Sequence, residues 1–387
     1  MVNIDPKQLT RIIRNIYGKS EDKFIPLHEP RFISDEKEVL IDCIDSTFVS
    51  TVGRYVAIFE DAIKSYTGAK YAIATSNGTS ALHVALIACG VMPKDEVITQ
   101  AFTFIATCNA IKYCHAEPVF VDISRENLGM CSKSLRSWIT SNTIRQGKDL
   151  INKNTGARIA AVLPMNTFGH PCDLVELSII CKEFNIPLVE DSAEALGSSL
   201  ENKHLGTFGD IGTLSFNGNK VITTGGGGAV ITNNEEYAEK VRHLATTARV
   251  ASDFTFEHNA IGYNYRMPNL NACLGVSQMK SLHHFIDEKR GVAEYYKDCF
   301  NDSNIEFFTE PLNSKSNYWL NTIIFENKDL RDLALEYTNN NSVMTRPPWK
   351  LMNKLEMFSK CEKSNLDVSE DLESRILNIP SSVPQDK

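Results

Sequence analysis

The chain carries the run SFNGNKVITTGGGG at positions 215–228, in which one lysine precedes four consecutive glycines. Lys220 lies between a predicted strand end and a glycine-rich turn, and these two segments can hold its amine in a fixed place. A lysine amine held in this way can form a Schiff base with an aldehyde. The alternative is an exposed lysine beside a flexible turn, which is the usual state of this residue type. The rest of the chain decides between the two.

Length and charge narrow the classes of protein that fit. The chain has 387 residues, enough for a large core and two domains. Its 40 Lys and Arg against 48 Asp and Glu give a net charge of −8, without long runs of one sign. We therefore expect no basic face for nucleic acid or for an anionic membrane, so an anionic ligand must be bound by local groups.

The patterns of cysteine, histidine and apolar residues indicate a cytoplasmic protein without a metal site. The ten cysteines include no Cys-x-x-Cys pair, as expected for reduced thiols. The nine histidines show no spacing that would place two zinc ligands together. The first residues lack the pattern of a signal peptide, and no apolar run is long enough to span a membrane.

Short apolar runs rich in Val and Ile alternate with helical patterns between residues 70 and 235. Such runs predict buried strands joined by crossover helices, which is an α/β fold with a mostly parallel sheet. Ligands bind such sheets at the carboxyl ends of the strands. We predict an N-terminal helix and extended segment over residues 1–30, a large domain over residues 31–249 and a smaller C-terminal α+β domain over residues 250–387.

Two segments that follow predicted strands offer groups for a phosphate and for a flat ring. Gly78 and Thr79 open a helical pattern, and the free amides at a helix start bind phosphate. Phe104 follows the next strand, where its ring can stack on a planar ligand. Each segment also has an ordinary explanation, a capped helix in one case and a core aromatic residue in the other.

Acidic residues follow a later strand of the predicted sheet. Asp191 lies at the end of that strand, where a buried acid is costly unless it is paired. A protonated pyridine nitrogen would pair it through a charge-assisted hydrogen bond. Together with the Ser215 hydroxyl and the Lys220 amine, these segments offer the groups that pyridoxal phosphate requires.

Four motifs carry a resemblance that covers nearly the whole chain. They are Phe24–Pro30, Thr167–Pro171, Ser215–Gly228 and Gly262–Leu270. Through them the chain resembles the DegT/DnrJ family of pyridoxal-phosphate sugar aminotransferases, which have the aspartate-aminotransferase fold, also called fold type I. Within that family it most resembles the 4-aminotransferases of the legionaminic-acid and bacillosamine branch.

The resemblance implies a role for each candidate cofactor residue. Gly78, Thr79 and Ser215 would hold the cofactor phosphate, and Lys220 would join the cofactor as a Schiff base. Catalysis would rest on Lys220 and Asp191, the latter binding the ring nitrogen.

Three further residues are placed by the same resemblance. Phe104 would stack on the cofactor ring, and Glu194 would lie beside its phenolic oxygen, where many members carry Gln or His. A carboxylate there must be protonated or compensated by a donor. Asn264 matches an asparagine that reaches the partner subunit's cofactor, which implies a homodimer with a shared active site.

The reaction implied by the resemblance is a transamination for bacterial surface-glycan or nonulosonic-acid biosynthesis. L-glutamate would give its amino group to a UDP-linked 4-keto-6-deoxy sugar. The alternatives are a GDP-sugar 4-aminotransferase of the perosamine type and a catalytically silent cofactor-binding sensor of the same fold.

Four residues are candidates for contacts with the nucleotide sugar. Arg266 and Arg346 can bind a diphosphate, because an arginine fork holds two phosphate oxygens. His28 and His170 are candidates to face the sugar. A solvated arginine or a core histidine remains an alternative for each.

Overall fold

The computed structural model describes residues 3–18, 20, 23–250 and 255–384. Its α-helices are α1 (Pro6–Tyr17), α2 (Glu36–Asp45), α3 (Arg54–Thr67), α4 (Gly78–Ala88), α5 (Ile105–Tyr113), α6 (Ser132–Asn142), α7 (Leu174–Phe184), α8 (Glu235–Ala245), α9 (Asn269–Phe300), α10 (Lys328–Asn340) and α11 (Asp367–Arg375). Short 3-10 turns occur at Thr167–Gly169, Met352–Lys354 and Glu356–Phe358.

The strands in the described residues are mostly short. They are β1 (Tyr71–Thr75), β2 (Glu96–Gln100), β3 (Glu117–Val121), β4 (Thr143–Gln146), β5 (Asp149–Asn152), β6 (Ile159–Leu163), β7 (Val189–Asp191), β8 (Ser199–Leu200), β9 (Lys203–His204), β10 (Ile211–Ser215), β11 (Gly228–Thr232), β12 (Arg249–Val250), β13 (Glu257–His258), β14 (Glu306–Phe307), β15 (Ser314–Lys315), β16 (Asn321–Ile324) and β17 (Ile376–Ile379).

The central sheet has the order β3-β2-β6-β7-β10-β11-β1. Two hydrogen-bonded groups, β3-β2-β6 and β7-β10-β11-β1, meet through parallel bridges between Val162 and Leu188 and between Met165 and Asp191. Only β11 runs against its neighbours. The predicted α/β fold with a mostly parallel sheet is confirmed, while the antiparallel direction of β11 was not foreseen.

Packing on both faces of the sheet buries its inner strands. Every residue of β2, β6 and β11 is buried, as in sheets covered on both faces. On one side, Leu82 of α4 and Val241 of α8 lie in the same apolar cluster as Val230 of β11. Because β1, β2, β7 and β10 run in the same direction, the segments that follow them emerge at one edge of the sheet.

The C-terminal part is built around α9, a single helix of 32 residues. A three-stranded antiparallel sheet, β14-β16-β17, lies beside its second half. The first half packs on α2 and α3. The domain boundaries at residues 30 and 249 therefore stay a prediction, since one helix contacts both parts.

The N-terminal segment packs on the C-terminal part, a choice that the sequence left open. Leu9 and Ile13 of α1 are fully buried in one cluster with Tyr296 of α9 and Ile323 of β16. Asp5 caps α1 by accepting a hydrogen bond from the Gln8 amide at 2.7 Å. Among the residues described, no helix is long and apolar enough to cross a membrane.

Replacement of Gly228 by Ala should destabilise the junction between β11 and α4. A Cβ at this position would lie 2.5 Å from the backbone carbonyl of Asn77, which neither element can absorb without a shift. We expect a loss of about 1–3 kcal/mol in the free energy of unfolding, measured by urea denaturation.

Gly226→Ala is the matched control for this change. A Cβ there would meet only the Ser76 carbonyl, at 3.9 Å. Equal stability of the two variants would contradict the close approach of β11 to α4.

Candidate active site

A cavity of about 290 Å³ opens at the carboxyl edge of the central sheet. Seven of the eight predicted cofactor residues line it, namely Gly78, Thr79, Phe104, Asp191, Glu194, Ser215 and Lys220. These residues come from four segments of the chain, and the sheet brings them together because β1, β2, β7 and β10 end at the same edge.

One end of the cavity is formed by the start of α4 and the end of β10. The side chain of Asn77 caps α4 by accepting a hydrogen bond from the Ser80 amide at 2.8 Å. A Cβ on Gly78 would lie 2.9 Å from the Cβ of Ser215, so glycine is required for this close approach. Helix-start amides beside a serine hydroxyl form a cradle for an anion.

Asp191 lies at the end of β7 with 2% of its surface exposed. Its Oδ2 accepts a hydrogen bond from the Thr107 hydroxyl at 2.7 Å, and its Oδ1 accepts one from the Ala193 amide at 3.2 Å. Burial raises the pKa of the Asp191 carboxyl, and these hydrogen bonds and the charge of Lys220 oppose that rise. A cationic group in the cavity would compensate this carboxylate further, which fits a protonated ring nitrogen.

Lys220 and Glu194 form a buried ion pair inside the cavity. Lys220 Nζ lies 3.1 Å from Glu194 Oε1, while the amide of Phe168 donates to Glu194 Oε2 at 2.9 Å. Burial raises the pKa of Glu194 to about 7, and the Lys220 charge and the two hydrogen bonds oppose it. The lysine amine and the Phe168 amide are therefore the donors that compensate this carboxylate.

Aromatic rings enclose the amine and the mouth of the cavity. Lys220 Nζ lies 3.9 Å from the ring centre of Trp319, whose Nε1 donates to the Asn219 carbonyl at 2.6 Å. Phe104 precedes α5, and its side chain is half exposed at the cavity wall, 6.0 Å from the ring of Trp349. An exposed aromatic face at this wall is available for a planar ligand.

Asn264 and Arg266 do not line this cavity. They line another one, of about 560 Å³, together with Arg242 and Arg249. Arg266 forms an ion pair with the buried Glu60, with Nη1 and Oε1 2.7 Å apart. The Arg266 guanidinium is thus already paired with a carboxylate of the same chain. We had predicted that it binds a diphosphate.

Arg346 and the two candidate histidines differ in their surroundings. Arg346 is exposed, and its backbone pairs with that of Asn378. His170 is fully buried against the rings of Phe308 and Tyr318, and burial lowers its pKa to about 4. These contacts give His170 the surroundings of a core histidine.

His28 lies within the electrostatic influence of Lys220, although it does not line the cavity. Burial lowers its pKa well below the ordinary value, and the charges of Lys289 and Lys220 lower it further. Neither ring nitrogen of His28 has a hydrogen-bond partner among the described residues. An uncharged ring with two unpaired nitrogens near Lys220 offers both a donor and an acceptor to a bound ligand.

Thr107, Trp319 and Trp349 touch the site but were not predicted from the sequence. Thr107 lies three residues after Phe104, and a hydroxyl soon after a strand end is the signal that could have found it. Trp319 and Trp349 come from the C-terminal part, where no local pattern indicates that a side chain reaches the sheet edge.

Comparison with known proteins gives one family. The profile of the DegT/DnrJ/EryC1/StrS aminotransferase family matches residues 30–385. The chain is 36% identical over 359 residues to the GDP-perosamine synthase of Escherichia coli O157:H7, which covers 93% of each protein. It is 32% identical over 364 residues to the putative pyridoxal phosphate-dependent aminotransferase EpsN of Bacillus subtilis strain 168, covering 93% of this chain and 91% of that one.

Solved structures agree with this assignment. A DegT DnrJ EryC1 StrS aminotransferase from Brucella abortus superposes with a TM-score of 0.82 at 25% identity, covering 89% of this chain and 90% of the other. The cradle at Gly78, the buried Asp191 and the enclosed Lys220 fit the phosphate, the ring nitrogen and the aldehyde of pyridoxal phosphate. The chain therefore belongs to the DegT/DnrJ/EryC1/StrS aminotransferase family and is an aminotransferase that uses pyridoxal phosphate.

Proposed function

We propose that the chain transfers an amino group from L-glutamate to the 4-keto group of a nucleotide-linked 4-keto-6-deoxy sugar. The observation that carries this proposal is the convergence of Lys220, Asp191 and the Gly78 cradle in one cavity. Family membership supports an amino transfer, and the name of the Escherichia coli relative supports a nucleotide sugar as acceptor.

GDP is the nucleotide that we propose for this substrate. The 36% identity to a GDP-perosamine synthase over almost the full chain favours the GDP-sugar alternative, with a perosamine-type product. The UDP-linked substrate of the legionaminic-acid and bacillosamine branch rests on the four sequence motifs alone. It is the second candidate.

Bound pyridoxal phosphate supplies an electron sink for the carbanion that forms at the reacting carbon. Lys220 Nζ takes the α-proton from glutamate in the first half-reaction and delivers a proton to the sugar C4 in the second. Asp191 would hold the ring nitrogen in its cationic form, because a cation there would compensate the buried carboxylate. The overall reaction converts L-glutamate and the keto sugar into 2-oxoglutarate and the amino sugar.

Glu194 and Trp319 hold the lysine amine on two sides while it is free. The 3.1 Å contact with Glu194 restrains Lys220 Nζ, and the indole face lies 3.9 Å away. A cation over an indole is stabilised by the negative face of the ring. We propose that this arrangement keeps Lys220 within reach of the reacting carbon in both half-reactions.

A second copy of the chain completes the site in our proposal. The segment around α2 exposes large apolar side chains, with Ile41, Ile44 and Phe48 each more than half exposed and Val52 79% exposed. A patch of this kind on a protein surface marks an interface. Val52 also lines the cavity that holds Asn264, so a partner bound there would meet this asparagine.

The proposed reaction is tested with purified enzyme, L-glutamate and either GDP- or UDP-linked 4-keto-6-deoxy sugar. We expect amino-sugar formation with the GDP substrate, at a kcat/KM at least tenfold above that for UDP. Lys220→Ala should abolish turnover, because it removes the amine that would bind the cofactor and move the proton, and should leave the far-UV circular dichroism unchanged. Borohydride reduction followed by peptide mapping should place the cofactor on Lys220.

A preference for UDP would assign the second candidate instead. Turnover with neither sugar, despite a cofactor bound at Lys220, would point to the silent sensor. A reduced adduct on another lysine would refute the role of Lys220 itself.

Glu194→Gln should change how the stability of the apoprotein depends on pH. Because burial raises the folded pKa of Glu194 to about 7, the carboxyl favours folding at low pH, and this contribution is lost as pH rises through 7. The free energy of unfolding of the variant minus that of the wild type should therefore rise by about 2–3 kcal/mol from pH 5 to pH 8. Urea denaturation at each pH measures this difference. The exposed Glu201→Gln controls for loss of one negative charge.

Val52→Asp should weaken the proposed dimer, since a desolvated charge opposes burial of the apolar patch. We expect sedimentation equilibrium to show a dimer for the wild type and a shift toward monomer for the variant. Cofactor affinity should fall with it, because Asn264 of the partner would be lost from the site. A monomeric wild type with full activity would overturn the shared site.

A further inference from the structure

A chain of two buried hydroxyls leads to Asp191. Thr103 and Thr107 are both fully buried, and their Oγ1 atoms lie 2.7 Å apart. Thr107 Oγ1 in turn lies 2.7 Å from Asp191 Oδ2. Thr103 lies in the loop that precedes α5, two residues before the helix, and Thr107 lies in the first turn of that helix.

The number of available protons sets the direction of these hydrogen bonds. Each hydroxyl carries one proton, and an ionised carboxylate can only accept hydrogen bonds. When Asp191 is ionised, Thr107 must donate to it, and the oxygen of Thr107 is then free to accept the proton of Thr103. Thr103 has other acceptors nearby, Met165 Sδ at 2.9 Å and the Phe104 carbonyl at 3.5 Å, but it has only one proton to donate.

The geometry also fixes the orientation of the carboxylate. Oδ2 is held by Thr107 and Oδ1 by the Ala193 amide, so neither oxygen can rotate away without breaking a hydrogen bond. The start of α5 adds a favourable partial positive charge. A hydrogen bond to an ionised acceptor in a buried site is stronger than one between neutral groups.

We propose that Thr107, supported by Thr103, is a positioning residue that holds Asp191 as an oriented anion and thereby sets how tightly the site binds the pyridine ring of the cofactor. The proposal rests on the assigned role of Asp191 toward the ring nitrogen. Phe104, at the cavity wall, immediately precedes the same helical turn. One short segment therefore holds both Thr107, which donates to Asp191, and the ring that is predicted to stack on the cofactor.

The test uses apoprotein of the wild type and of Thr107→Val, Thr107→Ser and Thr103→Val. Affinity for pyridoxal phosphate is measured by equilibrium titration. The ionisation of Asp191 is followed by NMR of protein labelled with carbon-13 at the aspartate carboxyl. Thr107→Val should weaken cofactor binding by roughly 10- to 100-fold, since a hydrogen bond to a charged group is lost. It should also move the Asp191 titration upward in pH.

The other variants distinguish loss of the Thr107 hydroxyl from other effects of a substitution in the core. Thr107→Ser keeps the donor and should stay within about threefold of the wild type, whereas Thr103→Val should lose roughly two- to tenfold. Thr99→Val is the matched control, because Thr99 is an equally buried threonine whose hydroxyl donates to the Leu163 carbonyl at 2.7 Å without touching Asp191. It should leave cofactor affinity and the Asp191 titration unchanged.

Two results would overturn the proposal. One is wild-type affinity and an unshifted titration in Thr107→Val, and the other is an equal loss in Thr107→Ser and Thr107→Val. Asp191→Asn distinguishes these from failure of the underlying role, because wild-type cofactor affinity in that variant would remove the part assigned to Asp191 and not the hydroxyl chain alone.

Discussion

The burial of charge at one edge of the sheet is the constraint on which the rest of the structure depends. Strand β7 ends in two adjacent acids, and its side chains alternate between the faces of the sheet. Glu190 accepts hydrogen bonds from the amides of Gly206, Phe208 and Gly209 at 2.6–2.7 Å, which fixes the loop before β10. Asp191 accepts two, from the Thr107 hydroxyl and the Ala193 amide, and burial raises the pKa of both carboxyls. The two acids differ in location, because Asp191 lines the cavity and Glu190 holds a loop of the fold.

The location of residues that follow the end of a strand could be predicted from the sequence. Lys220, Asp191 and the Gly78 start of α4 belong to this group, because position after a buried parallel strand already places them at the ligand-binding edge. The α/β class could be predicted for the same reason. The reversed direction of β11 could not, since its short apolar run fits a buried strand of either direction.

Local sequence patterns could not predict contacts between segments that are distant in the chain. Arg266 meets Glu60, which lies 206 positions away in the chain, so its pairing could not be read from either neighbourhood. The donors to Glu194 come from the Lys220 loop and from Phe168, and only the folded chain shows that both are present. The helical pattern of α1 was clear, but nothing in the first thirty residues indicates which part of the protein covers its apolar face.

The location of α1 has a consequence for synthesis on the ribosome. Its buried Leu9 and Ile13 pack against Tyr296 and residues after it, so roughly 280 residues must be made before this cluster can close. At typical translation rates that interval is roughly 15–60 s. A capped helix of twelve residues is only marginally stable alone in water. The nascent chain therefore exposes an apolar N-terminal segment for most of its synthesis. Chaperones can bind this segment, and the cluster around α1 can fold only late.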